Sequence, residues 1–594
     1  MCRIAGIINP ILPTIVLENI VKEMCCLLQH GGPDDEGLYT DATNHLVLGH
    51  RRLSLIDLTA AGHQPMPYCN GRYQLTYNGE LYNYLEIKRE LVRLGLSFDT
   101  HSDTEVILAA FAKWGTGSFS RFNGMFAFAL WDKETSELYL VRDASGIKPL
   151  YYAHTNEGLA FSSEVRGFEP IDYLKETNPD WPVYLMAYGH LPEPVTTLKE
   201  VKPLEKGCYL QYNASSGECL QRVFSAYEYE EIIADREDAI ELVRYMLERA
   251  VKRHLLSDAP IGVFLSGGLD SSIISLLANR HQSMLNTISI YFEETKYSEK
   301  TFQDLLQQRL NCDHHQHLVN EQDFHQHLPD IINAMDLPSG DGINTWFISR
   351  YAKKNGLKAV LSGIGGDELY GGYPSFKRIY ATMVLDDLPG GILRAGRYTT
   401  YKRIGRMAYL SIPGPVGQYL FLRGQFTPIA IARQLDMDES EVWKILETQP
   451  VMEQLDDLSP ANQASWLERN FYMQNQLLRD ADVMSMAHGI EIRVPFLDDE
   501  FTRFSLGIGS GVKYAGALKK QLLIDAFKEI LPGPIWDRPK MGFSFPFKDW
   551  LSHDRYSTAA KGTRLSAWHK KLQMNEMHWS QFFTLLLMEN KYRA

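Results

Sequence analysis

The chain has 594 residues, 45 % of them hydrophobic and 22 % charged, and a formal net charge of −13. Those proportions match soluble globular proteins and exclude disorder, collagen and coiled coil as the main organisation. The acidic balance argues against nucleic-acid or anionic-membrane partners, which need a broad basic face.

The seven cysteines show no CxxC spacing, so neither a zinc site nor a disulfide framework is indicated. No run approaches the roughly 18 apolar residues of a membrane span, and residues 4–17 are broken by Asn9, Pro10 and Pro13. That pattern suits a strand and turn better than a signal peptide, and a cytoplasmic protein is expected. Short β-like runs follow at 3–8, 46–48, 73–77, 125–131, 137–142 and 150–153. Helical patterns interrupt them at 83–94 and at 104–114, the latter opened by a Ser102/Asp103 cap. A hairpin turn at 213–217 closes this region, and the acidic stretch 227–238 is the expected linker. A helix at 239–254 then leads to a strand at 261–265, a Gly turn and a helix at 271–280. Further strands at 287–291 and 358–361 predict a parallel α/β sheet, and after about residue 375 the pattern is mainly helical.

Cys2 follows the initiator Met1. Removal of Met1 would leave a thiol beside a free α-amine of pKa about 7.7–8, low enough to serve as its own general base. Asn78 and Gly79, read as the end of a β-like run, offer an amide and an N–H for an oxyanion hole. Arg52 suits a bidentate carboxylate contact, and Asp103 suits an α-ammonium. Singly, each is equally at home in a turn, a cap or on the surface.

Together they carry a resemblance. Cys2–Gly6, Gly32–Asp34, Arg52–Asp57, Tyr77–Tyr82, Ser102–Glu105, 122–131 and 142–151 are similar to the class II glutamine amidotransferase domain. That resemblance implies an N-terminal-nucleophile hydrolase with an αββα sandwich over residues 1–212. It implies Cys2 as nucleophile on the glutamine amide, Asn78 and Gly79 at the oxyanion, and Arg52, Asn78, Glu80 and Asp103 around glutamine. One departure stands out: the family's His-Arg-Gly-Pro-Asp reads His30-Gly31-Gly32-Pro33-Asp34 here.

The second motif, Ser266-Gly267-Gly268-Leu269-Asp270-Ser271-Ser272, joins a strand to a helix. Small residues there let backbone N–H groups approach phosphate at a helix N-terminus. The Lys of a Walker loop is absent, so γ-phosphate transfer is not implied. The motif resembles the PP-loop of ATP pyrophosphatases, which cleave between the α- and β-phosphates. The resemblance implies ATP contacts from Leu265, Ser266, Gly267, Gly268, Asp270, Ser271, Ser272, Ile290, Ser362 and Gly363. Asp270 and Asp367 are the implied Mg²⁺ and pyrophosphate carboxylates, with Lys519 or Lys520, the latter preferred, neutralising pyrophosphate.

With 482–487, 491–498 and 538–543, both loops resemble the glutamine-hydrolysing asparagine synthetase family over almost the whole chain. An adenine-nucleotide α-hydrolase-like α/β domain with a mainly helical C-terminal part is thus expected over 236–594, using ATP and Mg²⁺. A homodimer is what the family implies. Ammonia would pass between the sites through an apolar conduit, with 483–487 a candidate wall or an ordinary buried helix.

The acceptor stays open. Asparagine synthetases usually carry an acidic residue where Ile364 stands, and 335–345 is less acidic than aspartate users suggest. Aspartate and another carboxylate, such as a sugar uronic acid, are both compatible. A decayed enzyme that senses nucleotide or glutamine is a third possibility, opposed by the presence of Cys2, Asn78, Asp270 and Asp367.

Overall fold

The computed structural model describes residues 2–385, 388–396, 402–448, 455–539, 541, 545–553 and 564–591; the expectations at Met1, Lys540, Gly542 and Phe543 fall outside these. β1 (Arg3–Ile8) is buried at every position, and the alternation of its side chains explains why. Ala5 and Ile7 pack with Leu17, Val21 and Met24 of α1 (Thr14–Leu27). Ile4 and Ile8 face the other way, among Leu46, Leu48, Ala127, Ala129 and Trp131. A strand that is apolar on both faces belongs between layers.

Those layers follow in chain order. β2 (Asp35–Asp41), β3 (Leu46–Arg52), β4 (Met66–Tyr68) and β5 (Tyr73–Leu81) come first, then helices α2 (Tyr84–Arg93) and α3 (Asp103–Trp114). Next are β6 (Gly124–Asp132), β7 (Glu137–Arg142), β8 (Tyr151–Thr155) and β9 (Gly158–Ser162). β10 (Lys202–Pro203), β11 (Cys208–Asn213) and β12 (Cys219–Val223) complete the set. One sheet runs β10-β8-β9-β1-β3-β2 and the other β12-β11-β7-β6-β5-β4. Helices α2 and α3 cover the outer face of the second sheet through Ile87, Leu91, Val106 and Leu108 against Leu75, Phe126 and Phe128. With α1 on the first sheet, the result is the expected αββα sandwich.

The second region opens with α4 (Arg236–His254), capped by the Asp235 side chain on the Asp238 N–H. β13 (Ile261–Phe264), α5 (Leu269–Asn279), β14 (Leu285–Tyr291) and β15 (Cys312–Leu318) follow. Then come α6 (Ile343–Lys354), β16 (Ala359–Leu361), α7 (Arg479–Met486) and β17 (Glu491–Arg493). The five strands are parallel in the order β15-β14-β13-β16-β17. The centre of the sheet therefore ends in the loop after β13, where parallel α/β sheets place ligands. Described residues beyond 375 are helical apart from β17 and connecting turns, and no helix among the described residues is long and apolar enough to cross a membrane.

Several elements differ from expectation. The first region holds two helices beyond those expected at 83–94 and 104–114, namely α1 and residues 181–188. β5 does not stop at Tyr77 but continues through Asn78, Gly79 and Glu80 to Leu81, each paired with β6. β15 reads Cys-Asp-His-His-Gln-His-Leu, too polar to signal a strand, yet it pairs along its length with β14 at the sheet edge. β17 is only three residues long, and its place is set by pairing with β16.

Candidate active sites

At the N-terminal end of β1, the Cys2 N–H donates to Asn78 Oδ1 at 3.2 Å. Cys2 is buried, and its Sγ lies 4.0 Å from the Leu53 carbonyl oxygen. Burial pushes the thiol above its ordinary pKa, against the opposing pull of the Leu53 backbone and, more weakly, Arg52. The other end of the Asn78 amide, Nδ2, is buried without a hydrogen-bond partner among the described residues. A buried donor left unmatched costs about 1–3 kcal/mol, so one beside a thiol is a candidate oxyanion contact.

Gly79 is required by the neighbouring strand. A Cβ there would lie 2.2 Å from the Met125 carbonyl oxygen and 2.7 Å from Phe126 Cα. Gly79→Ala is therefore expected to destabilise the protein by about 1–3 kcal/mol through overpacking, measured as a lower midpoint in a denaturant melt. An unchanged midpoint would show that β5 and β6 have room to spread.

The carboxylates nearby are already engaged. Asp103, at the start of α3, accepts the Tyr77 hydroxyl at 2.9 Å and the Leu81 N–H at 3.0 Å. Burial raises its pKa against those bonds. Glu80 Oε1 lies 3.3 Å from Arg493 Nη2, an arginine of the second region. Burial raises Glu80 as well, opposed by Arg493 and reinforced by Glu491 and Asp103. Arg52, at the end of β3, donates to the carbonyls of Thr59 at 2.9 Å and Ile56 at 3.4 Å, and to that of Asp57. It ties down the 56–59 loop. The structure thus joins Cys2 directly to Asn78, gathers Glu80 and Asp103 beside them, and ties Arg52 to the loop.

The second site forms where β13 meets α5. Ser266 Oγ and Ser271 Oγ are 2.8 Å apart, and the Ser271 and Ser272 hydroxyls donate to the Gly268 carbonyl at 3.1 and 2.6 Å. The loop is held from within, with α5 directly behind it. Gly363 is forced by close approach, since a Cβ would lie 2.8 Å from Asp270 Cβ. Ser362 donates its N–H to the Arg493 carbonyl at 2.8 Å, joining this loop to β17. Leu265 and Ile290 are both buried in the main core.

Of the two adjacent lysines, Lys520 is the one that reaches both carboxylates. Its buried Nζ bonds to Asp270 Oδ2 and pairs with Asp367 Oδ1, whereas Lys519 donates to the Gly372 carbonyl at 3.3 Å. Against burial, the two carboxylates hold Lys520 firmly protonated. Asp270 and Asp367 therefore converge on one cationic centre. No group of three or more His, Cys, Asp or Glu suited to a metal occurs among the described residues. That donor set fits Mg²⁺, which takes one or two carboxylates and completes its shell with phosphate oxygens and water.

Some contributors were invisible as site residues in the sequence. Arg538 donates to the Gly267 carbonyl at 2.9 Å, pairs with Glu299 at 2.8 Å and lies 3.6 Å over the Phe302 ring. Glu368, next to Asp367, accepts the Tyr373 hydroxyl at 2.6 Å and is raised to about 7 by burial and by Asp367. Arg493 bonds Glu491 at 2.6 Å and the His254 carbonyl at 2.9 Å. Nothing in the local pattern of 491–493 announces a partner at position 80.

Residues 483–486 form the end of α7 and are buried. Met484 faces Gly342, where a Cβ would come within 3.1 Å of its side chain. Ile364 packs against the main core. Asp336 accepts the N–H groups of Val165 and Arg166 at 2.7 and 2.9 Å, so it braces the other region.

Comparison with known proteins agrees with both halves. The family model described as asparagine synthase matches residues 242–583, and that described as glutamine amidotransferase domain matches 1–224. Asparagine synthetase [glutamine-hydrolyzing] 1 of Bacillus subtilis (strain 168) is 31 % identical over 572 residues, 93 % of this chain and 88 % of that one. A putative asparagine synthetase [glutamine-hydrolyzing] of Mycobacterium tuberculosis (H37Rv) is 33 % identical over 557 residues, 88 % of this chain and 84 % of its own. Amidase chry2 of Gibberella zeae is 26 % identical over 572 residues, covering 88 % and 84 %.

Proposed function

This chain belongs to the glutamine-hydrolysing asparagine synthetase family, and from that premise we propose how its residues divide an ATP-dependent, glutamine-dependent amidation. Cys2, freed of Met1, attacks the side-chain amide carbon of glutamine, its own α-amine taking the thiol proton. Asn78 Nδ2 and the Gly79 N–H stabilise the oxyanion. Ammonia leaves, and water cleaves the thioester to give glutamate. Arg52 meets the substrate carboxylate, while Glu80 and Asp103 meet its ammonium.

At the second site, the acceptor carboxylate attacks the α-phosphorus of ATP, giving an acyl-adenylate and pyrophosphate. The loop 265–272 with Ile290, Ser362 and Gly363 seats ATP. Lys520 offsets the charge gathering on pyrophosphate. Asp270 and Asp367 would hold Mg²⁺, which when bound supplies further neutralisation of the phosphates. Ammonia then displaces AMP to leave the amide. The observation that best supports this reading is the Asn78 amide, its oxygen on the Cys2 N–H and its nitrogen unmatched.

The acceptor we propose is aspartate, as in the family's named members. A second reading, amidation of another carboxylate such as a sugar uronic acid, is favoured by Ile364, which cannot ionise, and by the diversion of Asp336 to the other region. ATP–pyrophosphate exchange with a panel of carboxylic acids separates them. Aspartate is expected to stimulate exchange by about tenfold or more over no acid, as an acceptor worth about 1.4 kcal/mol of binding must. Stimulation by a uronic acid alone would replace aspartate. Exchange with no acid at all would remove the synthetase reading.

A further inference from the structure

Arg3 directly follows the nucleophile and is fully buried. Its Nε donates to Glu164 Oε1 at 2.6 Å, and its Nη1 pairs across the region boundary with Asp482 Oδ2 at 2.8 Å. Glu164 is also bound by His30 at 2.9 Å and Arg166 at 2.8 Å. Against the burial that would raise it, His30, Arg3 and Arg166 hold the Glu164 carboxyl far below the usual range. Asp482 is shared with Lys148 at 3.5 Å, and Arg166 reaches Asp336 at 3.5 Å. Arg3, Lys148 and Arg166, together with His30, thus face Glu164, Asp336 and Asp482.

The same geometry accounts for the departure at position 31. A Cβ on Gly31 would lie 2.7 Å from Arg3 Cγ and 2.9 Å from Arg3 Nε. A side chain at 31 would displace the Arg3 side chain from this path. In this chain the guanidinium beside His30 comes from position 3.

On its far side, Asp482 sits in α7 between two groups that touch the 335–345 loop. Asp480 accepts the Ser339 hydroxyl at 2.6 Å. A Cβ on Gly342 would come within 3.2 Å of Asp480 Cβ and 3.1 Å of Met484 Cγ. One ion pair and one helix therefore separate Cys2 from the 335–345 loop, whose Asp341 lies in electrostatic range of Tyr472. Tyr472 in turn packs on Tyr373, the donor to Glu368 next to Asp367. We propose that Arg3 is a positioning residue that couples glutamine hydrolysis at Cys2 to occupancy of the synthetase site, through Asp482 and α7. Movement of the loop shifts α7, and the buried pair passes the shift to the first residue after the nucleophile. This rests on the proposed function above.

The test uses the full chain and reads glutamine hydrolysis with and without MgATP, and with MgATP plus L-aspartate or D-glucuronate as probe acids. The unmodified protein is expected to hydrolyse glutamine faster when the second site is filled. Arg3→Leu should lose about fivefold or more of that stimulation, the lower range of allosteric coupling, while amide formation from ammonium persists. The exchanged pair Arg3→Gly/Gly31→Arg should regain it, because the new side chain starts within the old one's path. A stimulation unchanged in Arg3→Leu overturns the proposal, as does a folded exchanged pair that stays uncoupled. If neither variant folds, as judged by a cooperative thermal transition, Arg3 is a folding determinant and the proposal falls. An unmodified protein indifferent to MgATP and acids also overturns it, whereas one that hydrolyses no glutamine overturns the proposed function instead.

Discussion

Cys2→Ala is expected to lower glutamine-dependent amide formation by about four orders of magnitude or more, the scale on which covalent catalysts fail without their attacking atom. Amide formation from added ammonium should continue at close to the unmodified rate. The reason for the split is spatial: Cys2 contacts Asn78 and the Leu53 carbonyl, and none of the groups around Asp270. The loss of one buried sulfur leaves little more than a small cavity, so global stability should fall modestly. Parallel assays with glutamine and with ammonium chloride measure both arms. Loss of the ammonium-dependent reaction in a stably folded variant would show that Cys2 is not confined to ammonia supply.

Asp270→Asn should act in the opposite direction. ATP–pyrophosphate exchange is expected to fall by about 10²–10³, the cost of removing one electrostatic group preorganised for a transition state. Glutamine hydrolysis measured without ATP should remain. Removal of Lys520 instead would leave Asp270 and Asp367 facing each other across an empty position. Breaking such a buried pairing costs about 3–5 kcal/mol and would mix stability with chemistry. In Asp270→Asn, Lys520 keeps Asp367 as a partner. Exchange at the unmodified rate would take Asp270 out of the phosphate site.

What the sequence revealed depended on the range of each signal. β1, β6 and β7 were legible because unbroken or alternating apolar runs have few other uses. The 266–272 loop was legible because strand, small residues and helix start coincide. Asn78-Gly79 misled at the level of local structure. Asn-Gly is a strong turn signal, yet here the glycine serves the close approach of Met125 within a continuous strand. β15 was missed because its side chains are polar, and β17 because three residues carry no period. The ties that join the two regions, Arg3 to Asp482 and Glu80 to Arg493, lie beyond any local pattern. Gly31 was visible as an absence, and only the path of Arg3 explains it.

The three-residue strand β17 also sets the order in which the molecule can be completed during synthesis. The αββα sandwich is continuous in the chain and ends at Val223, so it is available to fold while the rest is still being made. At about 5–20 residues per second, roughly 15–50 seconds pass before the ribosome reaches the residues that close the parallel sheet. Through that interval Arg3, Lys148 and Glu80 wait without Asp482 and Arg493. The same interval also leaves open the apolar helix 181–188, whose Tyr188 later stacks on Tyr419 at 5.7 Å and Phe471 at 6.3 Å, and an uncovered apolar patch invites wrong partners as a charged one does not. The waiting face is therefore part ionic and part apolar, and the apolar part is what late synthesis of the C-terminal half leaves open longest.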